Sequence, residues 1–306
     1  MNLAKAVLLK LIAAFLFAMM STLVRWVGLR YPVGQVVFFR SAFAVLPVVI
    51  IYAWRRELMA AIRIGRPWRH FGRGMTAVGA MFCNFSSLAR LPVVDATAIQ
   101  YVSPLFTVAL SAIFLKENVR IYRWSAVVVG FAGVLVMLSP NLNIERSTAN
   151  AVVVAGATFG LIGAFFSACS TVQTRSLAKS ETTSSIVLYF SIICAIGGLV
   201  TLPFGWLTPT WGELAALIAI GIFGGLAHIF LTESYRLAEA SLVAPFDYTS
   251  MLWALVLGYV VFSELPGWQV FVGAAIIAAA GLFVIWRERQ LGLQRARAAE
   301  GPPTAT

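Results

Sequence analysis

The sequence has little charge: Asp, Glu, Lys and Arg make up only 11% of its 306 residues, against about 25% in soluble domains. Apolar residues make up 60% of the chain, where a soluble domain has about 45–50%. The mean hydropathy is +0.87. This balance excludes an ordinary soluble protein. At about 20 residues a span, the chain has room for about ten membrane spans and little else.

Cysteine and acidic residues are also scarce, with three Cys and 12 Asp or Glu. Cys83, Cys169 and Cys194 each lie within an apolar run, so they indicate small core residues and no disulfide framework. The sequence contains no metal-ligand spacing, phosphate-binding glycine loop or nucleophile elbow. We therefore expect no cofactor and no bound metal.

Long apolar runs are what the sequence has in abundance. Reading them between charge and Pro/Gly clusters predicts ten transmembrane helices. The predicted spans are 4–27, 33–54, 71–89, 94–115, 121–139, 151–174, 183–204, 211–232, 241–263 and 267–286. The rest, residues 288–306, is small, charged and Pro-rich and is predicted to be a disordered cytoplasmic tail.

Basic residues predict the orientation of these spans. With the N-terminus in the cytoplasm, the inner segments hold sixteen Lys and Arg and the outer segments hold four. The net charge of +11 is thus explained by topology, and a nucleic-acid partner is not needed. We expect a multi-pass protein of the bacterial inner membrane with both termini in the cytoplasm and with membrane lipid around it.

The two halves of the chain resemble each other. "LIAAFLFAMMSTLVR" (11–25) matches "LIGAFFSACSTVQTR" (161–175), and "QYVSPLFTVALSAIFLKE" (100–117) matches "DYTSMLWALVLGYVVFSE" (247–264). Two collinear matches indicate an internal duplication. Because each half has five predicted spans, the second half enters the membrane in the opposite orientation. Such inverted repeats are typical of transporters that rock around a central site.

The tetrads "QYVS" (100–103) and "DYTS" (247–250) place polar residues inside two apolar spans. Each begins about six residues into its span, so both lie about 9–10 Å deep from opposite faces. Polar groups at this depth line a solute pathway, or they join helices by hydrogen bonds. The duplicated set favours the pathway, with these candidate substrate-binding residues: Gln100, Tyr101, Ser103, Asp247, Tyr248 and Ser250.

Three further polar residues lie within predicted spans. Arg40 needs a partner or water, and it either meets an anionic solute group or forms a fixed ion pair, with Asp247 as one conceivable partner. His228 is a candidate gate or proton group, or else a satisfied core histidine. The Asn84 amide lies where it could line the cavity. These residues complete the predicted substrate site, and no catalytic residue is assigned.

The segment "ATAIQYVSPLFTVALSAIFLKENVRIYRWSAVVVGFAGVLV" and its counterpart "ASLVAPFDYTSMLWALVLGYVVFSELPGWQVFVGAAIIAAAGLFV" resemble the EamA type of the drug/metabolite transporter superfamily. Each has a Pro-containing span ending in Glu, a short turn and a Gly-rich span. "FFRSAFA" (38–44) is similar to the second-span arginine segment of that family. The halves also differ: Arg40 aligns with Phe190, and Asp247 with Gln100.

The resemblance implies an all-α integral membrane fold with ten transmembrane helices, arranged as two inverted five-helix repeats around a central cavity. The repeats would cover residues 1–143 and 148–287. The spacings Gly156–Gly160 and Gly221–Gly225 permit close helix packing, which is explained within a monomer at least as well as by a weak dimer.

The resemblance also implies a secondary transporter of small metabolites, with amino-acid export by alternating access as the first hypothesis. The alternative transporter is an uptake carrier for a vitamin or nucleoside-like heterocycle. An intramembrane enzyme would need paired catalytic groups, and only His228 and Asp247 come near that. A packing subunit would not need the duplicated tetrads.

Overall fold

The architecture comes from a computed structural model that describes residues 3–54, 56, 62, 65–114, 121–138, 148–177, 181–237, 246 and 249–299. All regular structure within these ranges is helical, including a short 3₁₀ turn at Leu202–Phe204. The α-helices are α1 (Leu3–Gly28), α2 (Val33–Trp54), α3 (Pro67–Leu88), α4 (Val93–Gln100), α5 (Ser103–Phe114), α6 (Ile121–Leu138), α7 (Thr148–Leu177), α8 (Thr183–Leu199), α9 (Trp211–Leu237), α10 (Thr249–Phe262) and α11 (Trp268–Ala299).

These helices overlap all ten predicted spans, and the fourth span consists of α4 and α5. Of the ninth span, predicted over 241–263, the positions 241–245, 247 and 248 lie outside the described residues. Four described helices contain segments long and apolar enough to cross a membrane: Ala4–Gly28, Val33–Ile51, Ala151–Thr174 and Trp211–Ser234. The all-helical prediction is confirmed for the described residues. Large apolar side chains also remain exposed on the helices, such as Trp54, Val260 and Trp211, as expected of surfaces that face lipid.

The last helix corrects the prediction for the tail. Helix α11 continues to Ala299, through most of the segment 288–306 that was expected to be disordered. The reason is local: the Arg, Gln, Leu and Ala of "RERQLGLQRARAA" (287–299) favour helix, and the apolar span before them supplies a nucleus that they extend. Residues 300–306 lie outside the described residues.

Equivalent helices of the two halves make equivalent packing contacts. Helix α1 packs against α9, and its counterpart in the other half, α7, packs against α3, which is the counterpart of α9. In the same way α9 packs on α2 as α3 packs on α8, and α1 contacts α10 as α7 contacts α5. Helices α2 and α8 pack on each other, as do α6 and α11. Exchange of the halves therefore leaves these helix pairs unchanged, as a duplicated architecture requires.

Glycines permit close approach of α9 to α2. A Cβ added to Gly225 of α9 would lie 2.6 Å from Cγ of Pro47 and 2.9 Å from the Ala44 carbonyl oxygen in α2. At Gly221 it would lie 2.9 Å from the Phe39 carbonyl oxygen. The predicted small-residue spacing on α9 thus serves packing within one chain.

Candidate functional site

The fourth span is broken where the first polar tetrad lies. Helix α4 ends at Gln100 and α5 begins at Ser103, with Tyr101 and Val102 as a turn between them. The amides of Tyr101 and Val102 donate to the carbonyl oxygens of Ala98 and Ile99, each at 3.1 Å. These are three-residue bonds of 3₁₀ type. Pro104 has no amide hydrogen, so the Gln100 carbonyl lacks its ordinary helical donor.

The break gives Gln100 access to two neighbouring helices. Its Nε2 donates to Oδ1 of Asn84 in α3 at 2.6 Å and to the Gly160 carbonyl oxygen in α7 at 3.3 Å. Asn84 in turn donates from Nδ2 to Oγ of Ser167 at 3.2 Å. We call Gln100, Asn84 and Ser167 the amide network. It joins three helices from both halves of the chain.

Glycines on α7 make room for the amide network. A Cβ at Gly163 would overlap Oδ1 of Asn84 and lie 2.8 Å from its Cγ. A Cβ at Gly160 would lie 2.9 Å from Oγ of Ser87 and 3.0 Å from a side-chain carbon of Ile99. Gly160 and Gly163, about one turn apart on α7, therefore let α3 and α4 approach closely enough for their polar side chains to reach α7.

The two tetrads meet in space. The Tyr101 hydroxyl lies 2.8 Å from Oγ of Ser250, and either oxygen is able to donate. Tyr101 is 9% exposed, and Ser250 is half-buried in the first turn of α10. Ser103 is also half-buried, and its carbonyl accepts a hydrogen bond from Thr107. Asp247 and Tyr248 lie outside the described residues, so the rest of the second tetrad stays a prediction.

A second group surrounds the ring of Phe190 in α8. The guanidinium carbons of Arg40 and Arg73 lie 5.4 and 5.0 Å from the centroid of this ring. The His228 ring lies 5.6 Å from the Phe190 ring and 5.1 Å from that of Phe17. We call Arg40, Arg73, Phe190 and His228 the cationic cluster. Four helices, α2, α3, α8 and α9, contribute to it.

The two arginines of the cationic cluster differ in how they are satisfied. Arg73 donates from Nε to Oγ1 of Thr174 at 2.6 Å and from Nη1 to the Ile186 carbonyl oxygen at 3.0 Å. Arg40 is 3% exposed, and its Nε and Nη1 have no hydrogen-bond partner in the structure as described. Buried guanidinium groups are ordinarily bonded, so Arg40 stands out as a ligand candidate.

Charged residues also gather at the end of the bundle that is predicted to face outside. Arg25 of α1 pairs with Glu264 at 3.2 Å. A cavity of about 160 Å³ beside this pair is lined by Asp95 and Glu264 among apolar residues. The pairing joins the end of α1 to the segment that follows α10.

Hydrogen bonds and an ion pair at the same end join the first and second halves. Glu213, in the first turn of α9, accepts hydrogen bonds from the side chain of Arg30 and from the Tyr31 hydroxyl, the latter at 2.7 Å. It also accepts from the Thr210 amide at 3.0 Å. Burial raises the pKa of the Tyr31 hydroxyl, and the hydrogen bond to the Glu213 carboxylate raises that pKa further.

At the opposite end of the bundle, Glu181 of the second half contacts two residues of the first half. Its Oε1 accepts from the Gly65 amide at 2.9 Å, and its Oε2 lies 3.8 Å from Nε2 of His70. Polar contacts therefore hold both ends of the bundle together in this conformation.

The predicted site thus divides into two places. Gln100, Asn84, Tyr101 and Ser250 come together at the break in the fourth span, whereas Arg40 and His228 lie in the cationic cluster. Sequence reasoning missed Ser167, Arg73 and Phe190 as members of these groups. It also set aside Lys10, which is 1% exposed in α1. A charge inside an apolar span was the available signal for Lys10 and Arg73.

Comparison with known proteins adds the family. The sequence profile of the EamA-like transporter family matches the chain twice, over residues 4–139 and 154–287. A solved crystal structure superposes with a TM-score of 0.64 at 19% identity, covering 94% of this chain and 99% of that one. That likeness supports the fold.

Three curated relatives cover most of the chain. It is 32% identical over 284 residues to the pseudopaline exporter of Pseudomonas aeruginosa, covering 91% of this chain and 95% of the relative. It is 30% identical over 269 residues to the S-adenosylmethionine uptake transporter of Rickettsia conorii, covering 87% of each. It is 28% identical over 280 residues to the riboflavin transporter of Rhizobium johnstonii, covering 90% of this chain and 89% of the relative.

These relatives are membrane transporters of small metabolites, and none is named for an enzymatic activity. The double profile match covers both halves of the bundle, and each half contributes polar residues to the groups described above. The chain belongs to the EamA-like transporter family.

Proposed function

We propose that this protein is a secondary transporter of the bacterial inner membrane that moves a small metabolite by alternating access of its two halves. One observation carries the proposal: Tyr101 and Gln100, at the break in the fourth span, bond to residues of the other half. A broken helix exposes polar backbone and side chains at the depth where such transporters bind their solutes. Proteins that only pack helices have no need for such a break.

The duplicated construction supports alternating access. The helix pairs are unchanged when the halves are exchanged, and each half has an odd number of spans. The two halves then have opposite orientations in the membrane, with both termini in the cytoplasm. A rocking motion about the Tyr101–Ser250 contact would expose the site to one side and then to the other.

For the solute, we propose first a metabolite of the amino-acid class, moved outward. A relative named for S-adenosylmethionine supports an amino-acid end, since that solute joins methionine to an adenosyl group. The relative named as an exporter supports the outward direction. The second candidate is uptake of a heterocycle, and it is favoured by the names of the riboflavin and S-adenosylmethionine transporters.

Purified protein in liposomes tests the proposal without other components. Liposomes preloaded with unlabelled amino acids, S-adenosylmethionine or riboflavin are diluted into a trace of the same labelled solute, and accumulation by counterflow is measured. We expect counterflow of one of these solutes without ATP, because the sequence has no nucleotide-binding motif. Protein-free liposomes and the Gln100→Ala variant serve as controls. Folded protein that exchanges none of the three classes would contradict the proposed solutes.

A further inference from the structure

The unusual feature of the cationic cluster is an unused pair of donors. Nε and Nη1 of Arg40 have no acceptor in the described part of the chain, although the residue is only 3% exposed. Nε–H and the hydrogens of Nη1 point away from different edges of the planar group, and a carboxylate oxygen at either edge would accept a charge-assisted hydrogen bond.

The neighbouring arginine shows that the protein is able to satisfy such a group. Arg73 faces the same Phe190 ring, yet Thr174 and the Ile186 carbonyl accept from its Nε and Nη1. Arg40 receives an aromatic face and, among the described residues, no acceptor for Nε or Nη1. The difference between two arginines at one ring indicates that the acceptor for Arg40 comes from outside the protein.

The guanidinium of Arg40 packs closely against Gly224 of α9. A Cβ there would lie 3.2 Å from Nε of Arg40 and 2.9 Å from Sδ of Met20. Phe17 beside the cluster and His228 within it are half-buried. The surroundings of Arg40 are thus cationic and aromatic.

We propose that the guanidinium group of Arg40 binds the carboxylate of the transported solute through its unused donors, with an apolar part of that solute against Phe190. The ligand class is a small carboxylate, and the inference rests on the proposed transport function. Asp247, which lies outside the described residues, is the competing acceptor within the chain, so the experiment includes it.

The test is thermal unfolding of the detergent-purified full chain with phenylacetate and, as the matched neutral probe, phenylacetamide. We expect phenylacetate to raise Tm in a saturable way up to about 50 mM, which fills a site of millimolar affinity. We expect phenylacetamide to have no such effect. Arg40→Gln should weaken phenylacetate binding at least about tenfold, since a charge-assisted contact is lost.

Two variants serve as matched controls. Arg90→Gln removes an equally charged group from another ring, that of Phe159, outside the cationic cluster. The Ser86 carbonyl already accepts from Arg90, so phenylacetate binding should stay within about threefold. Gly224→Ala keeps Arg40 and Arg73 and places a Cβ 3.2 Å from Nε of Arg40, so it should weaken binding. It also covers the case in which Arg40→Gln does not fold.

Three results would overturn the inference: equal responses to both probes in the unmodified protein, an unchanged response in Arg40→Gln, or a response that is seen only after Asp247→Asn. The last result would show that Arg40 belongs to a fixed ion pair. The transport function is tested separately from the carboxylate site, because counterflow is measured in liposomes. Active counterflow with a flat phenylacetate titration rejects the carboxylate site alone, and Arg40-dependent binding without any counterflow rejects the transport function alone.

Discussion

Gly163→Ala adds one methyl group at the centre of the amide network. The new Cβ would overlap Oδ1 of Asn84 and would lie 2.8 Å from its Cγ and 3.1 Å from its backbone nitrogen. Rotation of the amide cannot relieve all three contacts, because the backbone nitrogen moves only with α3. Asn84 must therefore leave its positions against Gln100 and Ser167, or α3 and α7 must separate.

Three contributions determine the expected change in the free energy of unfolding for Gly163→Ala. Overpacking of a tight site costs about 1–3 kcal/mol. The two hydrogen bonds of Asn84, to Gln100 and Ser167, add about 0.6 kcal/mol each in a membrane bundle. Alanine regains about 1 kcal/mol over glycine in helix propensity. The last two terms nearly cancel, so we expect a loss of about 1–3 kcal/mol in the free energy of unfolding.

Gly258→Ala is the matched control for this measurement. Gly258 lies within α10, and the nearest atom to an added Cβ is Cγ2 of Val94 at 3.7 Å, an ordinary van der Waals contact. Unfolding in mild detergent should show a lower Tm for Gly163→Ala and a Tm for Gly258→Ala that is unchanged or higher. In an Asn84→Ala background, Gly163→Ala should lower Tm by less, because the side-chain amide that the new Cβ would overlap is absent. Equal stability of the two alanine variants would refute the packing argument.

Three further predictions concern topology, helix packing and the contact of Glu213 with Arg30 at the predicted outer end. A cysteine introduced by Arg63→Cys should resist a membrane-impermeant thiol reagent in intact cells, since the 54–70 loop is predicted to be cytoplasmic; ready labelling would reverse the orientation. Gly198→Ala should cost at least about 1–3 kcal/mol, because its Cβ would lie 2.6 Å from the Phe38 backbone nitrogen; an unchanged Tm would contradict this. Glu213→Gln should lower Tm at low salt and less so at high salt, since the carboxylate accepts from Arg30; a loss that does not change with salt would contradict the charge argument.

The sequence predicted the helices well because hydrophobic length fixes them locally. Every predicted span overlaps a described helix, including the first of each half, which carries a sequence match. The final helix was predicted too short, because its polar end follows helix propensity and has no hydrophobic signal. The break at Tyr101 was readable in principle from Pro104, whose missing amide hydrogen removes one helical bond.

The candidate site was predictable where the duplication marked it. Tyr101 and Ser250 were selected as members of matching tetrads, and the structure brings their hydroxyls together. The amide network was found only in part: Ser167 is a common residue in an apolar helix, and nothing in the sequence tells that it faces Asn84. Arg40 was selected for its charge, but its difference from Arg73 depends on Thr174 and Ile186, which lie more than a hundred positions away and meet Arg73 only in the folded bundle.

The contact between the tetrads gives the last prediction, which separates a solute pathway from a helix joint. Tyr101→Phe keeps the ring and removes the hydroxyl that lies 2.8 Å from Oγ of Ser250. If the hydroxyl contacts the solute, the rate of counterflow should fall about tenfold, which corresponds to a lost hydrogen bond of about 1.4 kcal/mol. The Tm should then change little, because an interhelical hydrogen bond contributes only about 0.6 kcal/mol to the stability of the bundle. Ser250→Ala and the double variant complete a cycle: equal effects of Tyr101→Phe in both backgrounds place the hydroxyl on the solute, whereas an effect that vanishes without Ser250 places it on the joint. A lower Tm with normal flux per folded molecule would reject the pathway at this contact, because the two tetrads would then serve only to hold the halves together.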